Sequence, residues 1–442
     1  MEVKTFKDGG AHVPHYKSFT EDKPITRMDA PDEVVIPLSQ HLGAPNEPLV
    51  KVGDKVEVGQ KIGEVDEFIS APVHASISGT VTAIEPRPAY TGGEIMSIVI
   101  KNDGGPQEFV SKEKRDPDKM TIEEIREAIR DAGIVGMGGA AFPTHANISV
   151  KKPVEYLVLN GAECEPFLTC DHRQMLERPY ELVEGARILM RSIESKKCRI
   201  GIEENKPDAI AAVAEKARGY DGIEVVPLAV KYPQGNKDQL IEATTGKYSI
   251  RGVRSADVGC LVRNVGTTIA CYDAVVHGKP SMERVVTVSG PTVPRCGNYI
   301  IKIGTKIGHV LKECGVDDLN GYKVVLGGPM TGMAVADLES GVVKGTTGIL
   351  VLPPDMVREE VAYSSCVRCG KCVDHCPMLL YPNQLSIYAE AEMYDELMEW
   401  DVMDCMECGI CSYICPAQRP IVHLIRMVKP TIRKMQRAAA GK

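Results

Sequence analysis

The sequence predicts a multidomain chain of mixed α/β and β class: a small all-β module, an open α/β domain, a second β module and a helical cysteine-rich domain. Three observations carry this reading. The 442 residues are too many for one core and suit about three domains at ~150 residues each. The hydrophobic period changes along the chain, from short alternating runs between glycine turns to helix-spaced runs mixed with buried-strand runs. Eight of the fifteen cysteines fall after residue 365. Composition narrows the function classes. A net charge of −8 argues against a general nucleic-acid surface. No apolar run reaches the ~18 residues of a membrane span, and the start, "MEVKTFKDGG", lacks a signal-peptide core. The chain is expected in the cytoplasm, reaching a membrane only through a partner or a surface patch.

After an N-terminal extension (1–33), residues 34–101 alternate strands with glycine turns, as in "VGDKVEVGQKIGE" and "APVHASISGTV". These phrases resemble a biotinyl/lipoyl-type barrel-sandwich hybrid domain. A carrier of that type presents a lysine at a hairpin tip, where this chain reads Val65-Asp66-Glu67-Phe68. The domain is therefore expected to be structural or docking rather than a swinging arm. His12, His15 and His41 nearby have no cysteine or carboxylate cluster beside them and read as packing residues.

An α/β domain is expected over 115–280. Its first landmark is "GIVGMGGAAFPTHAN" (133–147), with four glycines in fifteen residues. Gly136, Gly138 and Ala141 fit G-x-G-x-x-A, but that dinucleotide fingerprint needs a strand before the loop and a helix after it. Here the order is reversed. "TIEEIREAIRDA" (121–132) has an N-cap threonine, a glutamate at the third helical position and helical spacing, so a helix runs into the loop. The apolar run "VEYLVLNGAE" that follows reads as a buried strand. Something flat or anionic requiring close backbone approach is expected against the glycines.

The phrases "CVRCGKCVDHCP" and "CMECGICSYICP" repeat C-x2-C-x2-C-x3-C-P, the bacterial two-cluster ferredoxin spacing. Three thiolates of each phrase wrap one [4Fe–4S] cube, and the fourth crosses to the other. One cluster is expected on Cys366, Cys369, Cys372 and Cys415, the second on Cys405, Cys408, Cys411 and Cys376. Zinc is the competing reading, but it favours paired C-x2-C knuckles across a longer gap. The linker "PNQLSIYAEAEMYDELMEW" is rich in helix formers, so an α-helical ferredoxin domain is expected over 355–430. The other seven cysteines read as small buried hydrophobes, Cys164 standing out among them.

With the glycine loop, the strand-end acids and the double cysteine phrase in one chain, the sequence resembles the RnfC family of the Rnf electron-transport complex, from "HVPHYKSFT" to the second cysteine phrase. Its middle also resembles the FMN- and NADH-binding subunit of respiratory complex I, at "GMGGAAFPT", "NGAECEP", "YPQGNKDQL" and "VRNVGTT". The resemblance implies a Rossmann-like domain in which the backbone of Gly136, Gly138, Gly139, Ala140 and Phe142 lies against flavin and nicotinamide. It implies that Asn160 and Glu163 hydrogen-bond the flavin, that Glu165 sits near the nicotinamide as the catalytic residue, and that Asn264 and Thr267 approach the FMN phosphate. Two departures stand out. The family's lysine after "FPT" is replaced by Ala146-Asn147, which moves the expected phosphate contact to Lys151 or Lys152, and an acid two residues beyond the strand-end asparagine is Ala162 here. Residues 283–335 resemble a β-grasp SLBB module, with "GGPMTGMAV" (327–335) packing beside the flavin domain.

The function implied is a peripheral oxidoreductase subunit with FMN and two [4Fe–4S] clusters, exchanging electrons between NAD(H) and the other Rnf subunits. Ferredoxin is an indirect partner, and the expected place is the cytoplasmic face of the membrane. Two other readings stay open at this point: a cobalamin reductase-type enzyme, and an electron-relay scaffold that binds no nucleotide.

Overall fold

The computed structural model describes residues 2–111, 114–139, 141–150, 152, 154–248, 253–357 and 363–439. At its centre is a parallel four-stranded sheet in the order Ile223–Leu228, Lys197–Glu203, Tyr156–Gly161, Cys260–Asn264. Strand alternation sorts its side chains onto two faces. Leu157 and Leu159 pack under Ile125, Leu182 and Ile269 of the helices Ile122–Asp131, Pro179–Ser192 and Val265–His277. Val158 points the other way, onto Leu240 and Ala243 of helix Lys237–Thr245. Thr121 caps the first of these helices as its spacing predicts: its hydroxyl accepts from Glu124 N–H, and the Glu124 carboxylate accepts from Thr121 N–H. Such a reciprocal cap satisfies two of the helix's free N–H groups.

The front module is two small antiparallel sheets closed over Val34, Ile36, Ile62, Val81, Ile98 and Ile100. A further six-stranded sheet runs Ile25–Arg27, Gly297–Lys302, Glu283–Ser289, Gly348–Leu352, Lys323–Leu326, Met333–Ala334. This differs from the sequence-based division in two places. Gly348–Leu352, beyond residue 335, is a central strand, parallel to one neighbour and antiparallel to the other. Its five residues are all buried, and such a run gives no alternation by which to assign it. Residues 1–33 are likewise more than an extension. They supply an edge strand to this sheet, and Phe6 and Lys17 are buried.

The cysteine-rich end is helical. Short helices Lys371–Asp374 and Ile410–Tyr413 follow the two cysteine turns, Pro382–Glu390 and Tyr394–Glu399 connect them, and Ile421–Ala439 closes the chain. Leu385, Leu397, Ile421, Ile425 and Ile432 form their common core. Among the described residues, no helix is long and apolar enough to cross a membrane.

Candidate functional site

The chain passes from the Tyr156–Gly161 strand outward through two strands, then returns to its other side with Cys260–Asn264. That reversal leaves a crevice at the carboxyl ends of the two strands, where open α/β sheets take ligands. Asn160 and Asn264 lie side by side there in register, and the glycine loop crosses above them. Met137 N–H donates to Thr267 Oγ at 2.8 Å, pinning the loop to the start of helix Val265–His277. Gly136 N–H donates to Phe142 O at 2.9 Å and closes the loop on itself. A Cβ on Gly138 would lie 3.5 Å from Asn264, while one on Gly139 would meet nothing within 4 Å. The backbone at Gly139 therefore borders open space. Gly139 has φ +109°, a conformation costly for any other residue. Ala140 lies outside the described residues.

The polar residues around the crevice hold one another. Asn264 Oδ1 accepts from Thr267 N–H, and its amide donates to Asp171 at 2.6 Å. Asn160 donates to Gly235 O and accepts from Ala162 N–H. The Glu163 carboxylate accepts from Asp171 and His172 N–H, capping helix Cys170–Glu177. Burial and the neighbouring Glu163 carboxylate push Asp171 up to about 7. Beneath this loop lies a residue that sequence reasoning missed. Lys17 is 2% exposed, and its ammonium donates to the carbonyls of Glu163, Glu165 and Leu168 at 2.8, 3.1 and 2.6 Å. Burying a charge is costly unless it is fully hydrogen-bonded, and these three carbonyls satisfy the ammonium. Lys206, fully buried, does the same for Ala162 O. Phe167 is clamped between Tyr16 and Phe19 of the N-terminal arm. "HVPHYKSFT" contained the signal, a lysine among apolar and aromatic residues, but nothing in it names the partner.

Glu165 packs against the turn 327–332. Its carboxylate accepts from Met330 N–H, Thr331 N–H and the Thr331 hydroxyl, and burial pushes its pKa up. The glycine turn 327–332 thus holds an acid. A Cβ on Gly328 would strike Glu165 at 2.1 Å.

Two cavities occupy the cysteine-rich end. Cys366, Cys369, Cys372 and Cys415 line one, and Cys376, Cys405, Cys408 and Cys411 line the other. The two turns repeat in detail: Arg368 and Glu407 share a positive φ, and their N–H groups donate to the sulfurs of Cys366 and Cys405 at 3.4 Å. Among the described residues, no three of the eight sulfurs lie within 4.8 Å of one another. Four thiolates at ~2.3 Å from one zinc ion would sit about 3.8 Å apart, so these openings fit a larger cluster. The second cavity abuts the crevice. Tyr232 Oη donates to Cys408 O at 2.8 Å and reaches Glu165 at 3.5 Å. A Cβ on Gly409 would come within 2.8 Å of Met330 O.

Other expected residues take quieter places. Lys152 is exposed and lies 3.9 Å from Asp257, and Lys151 lies outside the described residues. The Cys164 thiol accepts from Gly235 N–H, and burial raises its pKa far above the thiolate range. His12 bonds Val230 O, His15 O accepts from Phe167 N–H, and His41 bonds Ser70 and Ala71. The hairpin tip meets the glycine loop instead of presenting a lysine: Phe68 O is 2.8 Å from His145 Nε2, and Leu42 N–H donates to Ala141 O at 3.3 Å.

Comparison with known proteins follows these three regions. Residues 4–105 match the RnfC barrel sandwich hybrid domain, 129–273 the Nuo51 FMN-binding domain and 358–416 the 4Fe-4S dicluster domain. The chain is 42% identical over 432 residues to the C component of the proton-translocating ferredoxin:NAD(+) oxidoreductase complex of Clostridium ljungdahlii, covering 97% of this chain and 94% of that one. It is 42% identical over 443 residues to the Na(+)-translocating counterpart of Acetobacterium woodii, covering 99% of each. An NAD+-reducing [NiFe]-hydrogenase in the air-oxidized state aligns with a TM-score of 0.49 and 20% identity, over 72% of this chain and 62% of that chain. A crevice framed for a flavin, two four-cysteine cavities and these full-length relatives place the chain in the RnfC family of Rnf-type ferredoxin:NAD+ oxidoreductase complexes.

Proposed function

We propose that this chain exchanges electrons between NAD(H) and the other subunits of such a complex, bound peripherally at the cytoplasmic face of the membrane. The observation that carries the reading is the shared wall: Tyr232 Oη bonds Cys408 O and reaches Glu165, whose carboxylate is held by the 330–331 turn. FMN, when bound in the crevice, supplies the interchange between two-electron hydride chemistry and the single electrons that clusters carry.

The residues present support that group. Gly136, Gly138, Gly139 and Phe142 form the backbone floor, Asn160 and Glu163 border the ring end, and Asn264 and Thr267 border the start of a helix, where partial positive charge favours a phosphate. Glu165 stands at the nicotinamide end, its carboxylate aimed by three donors. Lys17 and Lys206 fix the loop that carries these acids. Cys376, Cys405, Cys408 and Cys411 hold the cluster nearer the crevice, and Cys366, Cys369, Cys372 and Cys415 hold the outer one. The outer turn presents exposed Cys369 and Val367 to a redox partner. The six-stranded sheet reads as the SLBB β-grasp module, expected over 283–335 and here continued by Gly348–Leu352. The divisions 34–101 and 115–280 are kept for the next two parts, and 355–430 is extended to the end of helix Ile421–Ala439, whose Ile432 packs in the cysteine-rich core.

Reconstitution with FMN, iron and sulfide, followed by absorption spectra and NADH oxidation with an artificial acceptor, tests the reading. Flavin and cluster bands together with NADH-dependent reduction are expected. Clusters without flavin binding or NADH oxidation would leave only a relay scaffold.

A further inference from the structure

The charges of the cysteine-rich end are sorted along the chain. Residues 373–407 carry nine aspartates and glutamates and no lysine or arginine, while 408–439 carry six lysines and arginines and no acid. Three of the six are paired with the acidic stretch: Arg419 with Glu390 at 2.6 Å, Arg426 and Lys429 with Glu407 at 3.0 and 2.8 Å. No carboxylate of the described residues pairs with the other three, Arg433, Lys434 and Arg437. They stand on helix Ile421–Ala439, whose stripe of Ile421, Ile425, Val428 and Ile432 is buried in the core of the module. Past Ile432 the helix leaves the module. Residues 433–439 are all exposed, a free run of about 10 Å at ~1.5 Å per residue. Met427 and Met435, 62% and 38% exposed, lie among these cations. Met427 and Lys434, seven residues apart, share the face turned away from the buried stripe.

We propose that this free part of the helix binds the surface of a bilayer bearing anionic phospholipids, with Arg433, Lys434 and Arg437 meeting the headgroups and Met427 and Met435 the acyl boundary beneath them. A helix that mixes cations with a few exposed apolar side chains suits such an interface. Exposed on every side, it offers a partner protein no groove, whereas a charged surface needs none. The neighbouring charge sets the orientation. The acid-rich stretch 373–407 is repelled by the same headgroups, so the module approaches with this helix foremost. The packed part of the helix lines both cluster cavities, through Ile421 in one and Val422 and Ile425 in the other. Docking therefore sets the two clusters beside the membrane. The inference rests on the peripheral placement proposed above and names the residues that would cause it.

Full-length protein with its clusters reconstituted is sedimented with vesicles of phosphatidylcholine alone and of phosphatidylcholine mixed with phosphatidylglycerol. It should bind only the mixed vesicles and release them as salt rises. Replacing all three cations together, Arg433→Gln, Lys434→Gln and Arg437→Gln, should weaken that binding on the order of a hundredfold, since each basic residue at such a surface contributes about fivefold. Arg433→Lys with Arg437→Lys should bind as wild type, because the headgroups read charge and not the guanidinium fork. A control that removes the same charge from exposed lysines of the front module, Lys51→Gln, Lys55→Gln and Lys101→Gln, should also bind as wild type. Glutamine keeps the helix, so cluster spectra and NADH oxidation with an artificial acceptor should not change in the triple variant. Equal binding to neutral vesicles, binding to neither, a triple variant that binds as wild type, or equal loss in the control would each overturn the assignment. A salt-sensitive dimer that forms without lipid and is lost in the triple variant would give the helix to the acid-rich stretch of a second copy instead. Failed vesicle binding beside intact NADH oxidation removes only this inference. A chain that binds anionic vesicles and oxidises no NADH loses the electron-transfer reading and keeps this one.

Discussion

The two redox regions prepare for their cofactors in opposite ways. In the cysteine-rich end, eight thiols sit in two short phrases on tight turns of positive φ, Arg368 and Gly370 in one, Glu407 and Gly409 in the other. None of the eight is disulfide-bonded, so beyond the shared apolar core the two phrases are left to be joined through their clusters. In the crevice, residues as distant as Lys17 and Thr331 already converge on Glu165, the first on its carbonyl and the second on its carboxylate. One site is completed by its metal and the other is built before its ligand arrives. Loss of cofactor should therefore reach the fold in the first region and only the function in the second.

The sharpest break of that contrast is removal of iron. Chelation should melt the helices of 371–439 while the parallel sheet stays folded, because metal-binding energy is folding energy in such modules. A single calorimetric transition that shifts as a whole would show the two regions are not independent in this sense. Within the module, Cys376→Ala should abolish the cluster of the second phrase and spare that of the first. Paramagnetic resonance spectra with the opposite loss would reverse the crossing.

The next largest effect is expected in the crevice. Gly138 does not use positive φ, and its Cβ position is an ordinary 3.5 Å from Asn264. Gly138→Val should therefore fold, keep both clusters and lose NADH oxidation. Full activity with NADH would falsify the loop as the entry site. Glu165→Gln replaces an acceptor-only carboxylate by an amide that cannot satisfy all three donors of 330–331. A charged hydrogen bond contributes roughly 1.5–3 kcal/mol, so NADH turnover should fall about ten- to a hundredfold. FMN retention should change little, and equal loss of flavin would make Glu165 a structural residue.

A smaller effect sharpens the idea of a prebuilt site. Asp171 is held at about 7 against 3.8 in a free chain. Between those values the folded form keeps a proton that the unfolded form releases, so its contribution to stability is present at low pH and lost as pH rises through about 7. Asp171→Asn retains an acceptor for Asn264 and removes the titration. Its Tm should depend less on pH between 4 and 7 and should exceed that of wild type above pH 7. Parallel curves for the two proteins would show that Asp171 does not titrate there.

The cysteine end could be read almost completely. Ligand spacing is local, and eleven residues suffice to describe a turn around a cluster. The helix into the glycine loop was equally plain, since Thr121 and Glu124 cap it by contacts three residues apart. The strand Gly348–Leu352 was not, because five buried residues in a row show no period. Lys17 was missed for a related reason. A lysine in a sequence reads as a solvated charge, and only its surroundings reveal the three carbonyls that hold it.

By itself, then, the sequence determined the chemistry that depends on neighbours along the chain: the four-cysteine phrases, the caps, the alternating strands of the front module and the glycines that keep Cβ atoms off a ligand. Tertiary structure alone decided which acids face which donors, that the N-terminal arm underlies the crevice, and that the Cys408 loop shares a wall with Glu165. Local propensities act over a few residues and leave their mark in every window. A buried charge is stabilised by whichever carbonyls the fold brings near, and those lay as many as 151 positions away, from Lys17 to Leu168.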